Sequence, residues 1–459
     1  MGPMTSSLEA LLPGTERALL HRIAVGQSEG RAPSLVGAVA RGGRVVWTGS
    51  CGDVGSAVDT QYRVGSITKT FTAVLVMRLR DEGLLGLDDP LEMHLPGTGV
   101  GEATIAQLLG HTGGLAAESP GPWWERTPGS LRPELADVLG ERPLAHPRGR
   151  RHHYSNTGYT LLGSLVAAVR GVSWEEALSA EVLEPLGLSR TTARPVAPHA
   201  DGWAVHPWAD VLLPEPVEDL GLMAPAGQLW STAADLCRFA NFLAEGDERV
   251  LSAESVREMR THAVPPAAGD WDSGYGLGMQ LMRQDGRTLV GHSGSLPGFV
   301  AGMWLSVDDD VAAVVLANAT SGPQSAVLAS DLVRIVAQAE PRMPAPWRPL
   351  PAADPSLLAL TGPWYWGTYA YALRVIEDGG VELQPLRGAG RGSRFRARPD
   401  GTWVGLDAYY DGEVLRVVRR EDGTVSHLDL GSFVFTREPY EPGDAVPGGV
   451  DDAGWRGAR

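Results

Sequence analysis

Six prolines fall between Pro341 and Pro355, and no element of a hydrophobic core can run through them. Proline has no backbone N–H and its ring collides with the preceding helical turn, so it is kept out of helix interiors and central strands. The chain therefore reads as two folding units joined by a stiff linker over residues 341–355. Upstream, residues Thr15 to Val25 carry Leu19, Leu20, Ile23 and Ala24 at helical spacing, with Gly26 as the expected stop. Ser34–Arg41 and Gly43–Ser50 read as a strand hairpin turning at Gly42-Gly43. Thr68 to Arg80 is a broad apolar stripe, the pattern of a buried helix. Short helical patterns and loops rich in Pro, Gly and Trp fill residues 84–225. A second strand-rich block follows at Gly276–Met282, Thr288–His292, Phe299–Leu305 and Val311–Asn318, and a helix over Ala326–Ala339 ends the unit. Strands at both ends with helices between predict an α/β unit over residues 15–340. It would hold one antiparallel sheet built from both ends, flanking helices and an inserted helical region.

Beyond the linker the pattern becomes all-β. Asp400-Gly401, Asp411-Gly412 and Asp422-Gly423 recur every eleven residues, and Asp-Gly is a strong hairpin-turn signal. A small up-and-down meander or barrel over residues 356–440 is expected. Residues 441–459 are rich in Gly, Pro and Asp and read as disordered. Residues 1–14 form an N-terminal segment in which Met1-Gly2-Pro3 reads as a cloning scar.

A hydrophobic fraction of 43% with 20% charged residues marks a globular chain. The net charge of −16 argues against nucleic acid and anionic membrane surfaces as partners. Cys51 and Cys237 are too few for a disulfide scaffold and read as free thiols. Neither an export signal nor an eighteen-residue apolar run is found, so a cytoplasmic location is expected. HExxH, zinc-spaced cysteine and P-loop patterns are all missing, and neither a metal nor a cofactor is expected.

Among 39 lysine and arginine residues, Lys69 is the single lysine. Arginine serves wherever positive charge suffices. It cannot serve as a base, because guanidinium stays charged whereas an ammonium can be driven to neutrality. Lys69 closes the run Ser66-Ile67-Thr68-Lys69, a nucleophile with a candidate base three residues on. Side chains three apart share a helix face. A neutral amine at pH 7 needs the lysine pKa to fall by about three, or about 4 kcal/mol, and burial acts in that direction.

Two further motifs follow in order, Tyr154-Ser155-Asn156 and His292-Ser293-Gly294. Tyr154, in a polar loop before an apolar helix at Leu161–Val169, is placed to relay a proton between nucleophile and leaving group. Asn156 is a candidate to orient Lys69 and the substrate amide. His292 lies between a predicted strand and a turn whose Gly291, Gly294 and Gly298 let backbone approach a ligand. The N–H groups of Ser66 and Ser295 are candidates for an oxyanion hole. Taken one at a time, Tyr154 reads as a surface aromatic, Asn156 as a helix cap and His292 as a packed side chain; their conjunction carries the chemistry.

Those three motifs, with Leu108–Leu115 (LLGHTGGL) and Pro225–Leu236 (PAGQLWSTAADL), resemble the serine β-lactamase and penicillin-binding-protein superfamily, in its class C, esterase and D-peptidase branch. The resemblance covers residues 15–340. It implies that Ser66 is the nucleophile, that Lys69 and Tyr154 handle protons, that Asn156 and His292 line the cleft, and that His111 is structural. One departure stands out: where β-lactamases usually begin the third motif with lysine, which holds the antibiotic carboxylate, this chain has His292. That points away from β-lactam hydrolysis and toward esterases, D-peptidases and thioesterases.

The phrases Tyr154–Tyr159 and Gly291–Phe299 are similar to those of stand-alone penicillin-binding-protein-type thioesterases of actinobacteria, which carry a C-terminal lipocalin-like β domain. This resemblance implies that a nonribosomal peptide is taken from its thioester on a peptidyl carrier protein onto Ser66. Its own N-terminal amine then releases it as a macrolactam, with a D-residue favoured at the acylating end. Arg437, in the last strand, is either an exposed edge arginine or a residue that reaches the substrate, and Gly294, Gln228 and Trp230 are further cleft candidates. The rival reading is an intracellular esterase or D-amidase that uses water. A non-catalytic ligand-binding relative is a third, against which the intact Ser66, Lys69, Tyr154 and His292 argue.

Overall fold

The computed structural model describes residues 10–53, 59–263, 272–344, 346–350, 352–376, 379–441 and 443–447. The cloning-scar reading of residues 1–3 and most of the expected disordered tail lie outside the described residues. The chain divides into two compact units, Met1–Met343 and Pro344–Arg459.

The first unit is built on an antiparallel sheet with seven strands among the described residues. They are β1 (Ser34–Arg41), β2 (Arg44–Gly52), β3 (Ser273–Tyr275), β4 (Gln280–Gln284), β5 (Arg287–Leu296), β6 (Phe299–Ser306) and β7 (Val311–Ala317). Their order is β2-β1-β7-β6-β5-β4-β3. The N-terminal hairpin therefore joins the C-terminal strands, with Leu35 opposite Ala317 and Arg41 opposite Val311, as the strand pattern predicts. Gly42 and Gly43 take positive φ at the hairpin turn, where side-chain-bearing residues are strained.

Both faces of the central strands are covered, and for that reason β1 and β7 read as unbroken apolar runs. Leu35, Val39, Ala313 and Val315 point to a core shared with Leu19 and Ile23 of α1 (Pro13–Glu29) and Leu328 and Leu332 of the last helix, α5 (Ser325–Ala339). Val36, Ala38, Val314 and Leu316 point to a larger core. It includes Phe71 and Val74 of α2 (Thr68–Asp81), Leu162 of α3 (Asn156–Arg170) and Phe239 of α4 (Ala233–Glu245).

Two local expectations change. Gly26 does not stop α1, which runs on to Glu29. A Cβ at Gly26 would stand 2.6 Å from the Leu328 methyls, so this glycine permits helix-on-helix contact. Of the strand expected at Gly276–Met282, Gln280–Met282 belong to β4, while residues 276–279 form the turn from β3, closed by Gly276 N–H donating to the Met279 carbonyl at 2.8 Å, with Gly278 at φ +84°.

Among the described residues of the second unit, eight strands, β8 (Gly362–Trp366) through β15 (Phe433–Phe435), follow one another in sequence order. Gly401, Gly412 and Gly423 take positive φ at the three Asp-Gly sites. Reciprocal hydrogen bonds between Tyr365 and Thr436, of 2.8 and 2.9 Å, tie the last segment to the first strand. The interior is filled by Trp364, Leu373, Leu383, Phe395, Leu428 and Phe435 among others, as expected for a small lipocalin-like barrel. Among the described residues no helix is long and apolar enough to cross a membrane, and Cys51 and Cys237 are unpaired.

Gly302 of β6 faces the start of α5, where a Cβ would lie 2.5 Å from the Ser325 carbonyl oxygen and 2.7 Å from Ala326 Cα. Both neighbours are backbone and cannot rotate away. Gly302→Ala should cost about 1–3 kcal/mol, the usual overpacking penalty, seen as a lowered thermal midpoint by circular dichroism. An unchanged midpoint would mean that α5 is free to move off the sheet.

Candidate active site

Ser66 occupies a single 3-10 turn, Gly65–Ile67, that runs directly into α2. This turn is pressed against β5. Gly65 sits at φ +52°, and a Cβ there would come 2.6 Å from the Ser295 amide nitrogen. A Cβ on Gly294 would collide with the Val64 carbonyl oxygen and lie 3.1 Å from the Ser66 amide nitrogen. The two glycines thus let main chain meet main chain, setting the amides of Ser66 and Ser295 beside one another as an oxyanion hole requires.

Lys69 is the second residue of α2, about one turn on from Ser66, and its side chain is fully buried. Its Nζ is 2.9 Å from Ser66 Oγ and donates to the Ala226 carbonyl at 2.7 Å. Nearly all of α2 is buried, its threonines included; Thr70 Oγ1 donates to the Gly278 carbonyl at 2.8 Å, and Thr68 and Thr72 are satisfied by one neighbouring strap. Thr72 Oγ1 donates to the Pro225 carbonyl at 2.9 Å, and Leu229 N–H donates to Thr68 Oγ1 at 3.2 Å. Residues 225–229 therefore hold the helix and the lysine together. Burial lowers the Lys69 pKa to about 7, against the opposing pull of the Glu118 and Glu125 carboxylates. A substantial fraction of a free amine exists at neutral pH, in hydrogen-bond reach of the serine hydroxyl.

Tyr154 is hydrogen-bonded to Ser66, and its ring centroid lies 5.0 Å from Lys69 Nζ. Burial raises its pKa well above the ordinary phenol value, so it remains a phenol at neutral pH. Between the two partners of Ser66 Oγ, Lys69 is thus suited to act as a base and Tyr154 to relay a proton. The Tyr154 ring packs at 4.3 Å on that of His111, whose Nδ1 accepts from Ser155 N–H at 3.1 Å. His111 is buried and structural, as expected.

Asn156 is the first residue of α3; the cap itself is Ser155, whose hydroxyl accepts from Gly158 N–H. Asn156 Nδ2 donates to Glu118 Oε1 at 2.8 Å, and the other Glu118 oxygen accepts from Trp124 Nε1 at 2.7 Å. His292 lies within β5 rather than before a turn, and both ring nitrogens are occupied. Nδ1 is 2.5 Å from the Ser293 carbonyl, which can only accept, so Nδ1 carries the proton. Nε2 then accepts from the Tyr275 hydroxyl at 3.0 Å. Burial, reinforced by Lys69, lowers the His292 pKa to about 3. A neutral ring with no spare N–H has nothing to offer a substrate carboxylate.

Ser66, Tyr154, Asn156, His292, Gly294 and Ser295 line one cleft of about 620 Å³. Three expected binding residues have other work. Gln228 is buried; its amide donates to the Ala193 carbonyl and accepts from Leu220 N–H, within the strap that carries Lys69. Trp230 is only 1% exposed and packs edge-on to Phe299 at 5.1 Å, as a core residue. Arg437 donates to the carbonyls of Ala359, Thr361 and Pro363 and stacks over Trp364 at 4.0 Å, fastening the strand ends of the β unit. Four contributors carried no sequence signal: Glu118, Glu125, Tyr275 and the Ala226 carbonyl. Among the described residues no cluster of His, Cys, Asp and Glu is arranged to hold a metal ion.

Comparison with known proteins agrees with this geometry. A family model described as Beta-lactamase matches residues 16–338, and one described as Domain of unknown function (DUF7586) matches residues 353–437. The chain is 31% identical over 289 residues to Penicillin-binding protein 4 of Amycolatopsis lactamdurans, covering 58% of this chain and 74% of that protein. It is 26% identical to Beta-lactamase-like protein 2 of Dictyostelium discoideum, covering 60% of this chain but only 54% of that protein. It therefore spans little more than half the length of some curated relatives it matches. Among solved structures, a D-stereospecific amidohydrolase from Streptomyces sp. is 28% identical with a TM-score of 0.60, covering 72% of this chain and 99% of that one. SurE is 25% identical with a TM-score of 0.58 and covers 93% of this chain and 99% of its own.

Acylation of Ser66 by an activated ester should be weak at acid pH and rise through an inflection near 7, because only the neutral Lys69 amine accepts the hydroxyl proton. Stopped-flow acylation rates provide the measurement. A flat profile from about pH 5 to 9 would exclude Lys69 as the base.

Proposed function

Since the chain belongs to the β-lactamase family, we propose that it is a serine acyl-transfer enzyme that takes a peptidyl thioester onto Ser66 and releases it by head-to-tail macrolactam formation. The observation that carries the acyl-transfer part is the placement of Ser66 Oγ between the amine of buried Lys69 and the phenol of Tyr154. Lys69 takes the Ser66 proton as Oγ attacks the acyl carbon. Negative charge on the carbonyl oxygen is met by the amides of Ser66 and Ser295. Tyr154 delivers a proton to the departing thiol of the carrier. In the second half the same relay runs backward: the peptide's amine attacks, its proton passes toward Lys69, and Ser66 leaves as a hydroxyl.

The finer reading has three supports. His292 stands where a carboxylate-binding lysine would serve a β-lactamase, and it is neutral with both nitrogens engaged. The solved neighbours include a D-stereospecific amidohydrolase and SurE with D-Leu, in line with a D-residue at the acylating end. The SurE similarity runs over both units of the chain. An amine tethered to the acyl group competes with water through its effective molarity.

Incubation with a synthetic peptidyl thioester ending in a D-residue, followed by mass spectrometry, should give a cyclic product 18 Da lighter than the linear acid, with the mass difference set by one water. Linear acid alone would replace this reading with that of an esterase or D-amidase. Lys69→Arg should remain folded and lose acylation at least about a hundredfold, the usual scale for removing a general base.

A further inference from the structure

Among the described residues lining the cleft, the one formally charged side chain is Glu125. The nearby cations, Lys69 and Arg63, are both buried and neither is part of that lining. Arg63 donates to the Glu218 carbonyl at 2.7 Å. With His292 uncharged, the cleft presents a lone carboxylate to whatever enters. Glu125 is held in place, because Trp123 Nε1 donates to its Oε2 at 2.7 Å. A carboxylate in the lining of the cleft that holds the nucleophile repels acidic groups and attracts ammonium.

We propose that Glu125 holds the attacking amine, so that an amine rather than water discharges the acyl–Ser66 intermediate. This rests on the acyl-transfer reading above and names the residue that sets its acceptor. An ammonium group docks on the Glu125 carboxylate and gives it one proton. The free amine nitrogen then bonds to the acyl carbon, and the bond from that carbon to Ser66 Oγ breaks. A second amine proton travels through Tyr154 and Lys69 to Ser66 Oγ. The products are an amide and free Ser66, and Glu125 returns its proton to solvent. Burial, together with the nearby Glu118 carboxylate, raises the Glu125 carboxyl above its usual value, which suits it to take that proton.

The test partitions a single intermediate, so that acylation defects cancel. The full-length protein is given an N-acetylated activated ester ending in a D-residue, with glycinamide as the added acceptor, and the amide and acid products are counted by mass spectrometry. Wild type should give an amide-to-acid ratio that climbs with glycinamide. Glu125→Gln keeps an oxygen for Trp123 but loses the charge, and should lower that ratio about tenfold or more, as expected for losing a charge-assisted hydrogen bond. Glu125→Asp should restore part of it, which a merely structural role would not predict. Amide from wild type with an unchanged ratio in Glu125→Gln overturns the role of Glu125 and leaves the macrolactam reading standing. Acid alone from wild type at every glycinamide concentration likewise overturns the role of Glu125, while the macrolactam reading stands or falls on the tethered thioester above.

Discussion

A single amine buried between a serine hydroxyl and a main-chain carbonyl governs this structure. Taking the Lys69 ammonium out of water is expensive, and the protein meets that cost by letting the charge go, so that its pKa falls to about 7. Neutrality is sustained only while the surroundings stay dry and rigid. That explains why α2 is buried almost throughout and why its threonines each find a partner. It also explains the strap at residues 225–229, which supplies the Ala226 carbonyl to Lys69 and shares hydrogen bonds with Thr68 and Thr72. Gln228, within the strap, is fixed by its hydrogen bonds to Ala193 and Leu220, and Trp230, just beyond it, packs in the core.

The same dry interior decides the character of the third motif. A lysine at position 292 would keep a positive charge next to Lys69 and depress its basicity or be depressed by it. His292 avoids the conflict by being neutral, with its proton on Nδ1 and its lone pair on Nε2 both engaged. The site gives up a carboxylate anchor and keeps a single titrating amine. Its field is then set by the carboxylates that remain, Glu118 tied to Asn156 and Glu125 on the cleft wall.

Features with a local cause could be read from the sequence. The proline-rich stretch marked the region of the boundary between the units because proline acts on its own residue and the one before it. β1 and β7 were readable because a strand buried on both faces must be apolar throughout, and the barrel turns because Asp-Gly favours positive φ. Ser66, Lys69 and Tyr154 were legible because the chemistry demands those side chains at those spacings. Gly26 misled because a glycine that allows two helices to touch looks the same, in one dimension, as a glycine that ends one. Trp230 and Arg437 misled for a related reason: a large or charged side chain suggests a ligand, yet the first fills core volume and the second ties three carbonyls. The Ala226 carbonyl had no side chain to announce it. Glu118 and Glu125, either side of Trp123-Trp124, sit in a stretch without periodicity, so only the folded chain brings them to the lysine.

The glycines of the cleft complete the logic. Gly65 and Gly294 fix the Ser66 and Ser295 amides by direct contact of main chain with main chain, with no side chain free to adjust. An oxyanion hole of that kind responds to the acyl carbonyl alone and is indifferent to what is attached to it. Discrimination must therefore come from the walls. The lining combines apolar Val300, Ala301 and Val327 with polar Glu125, Asn156 and Gln280. On the proposed reading, the choice between an amine and water rests on the charge at Glu125, and Lys69, shared by both halves of the proposed reaction, has no part in it.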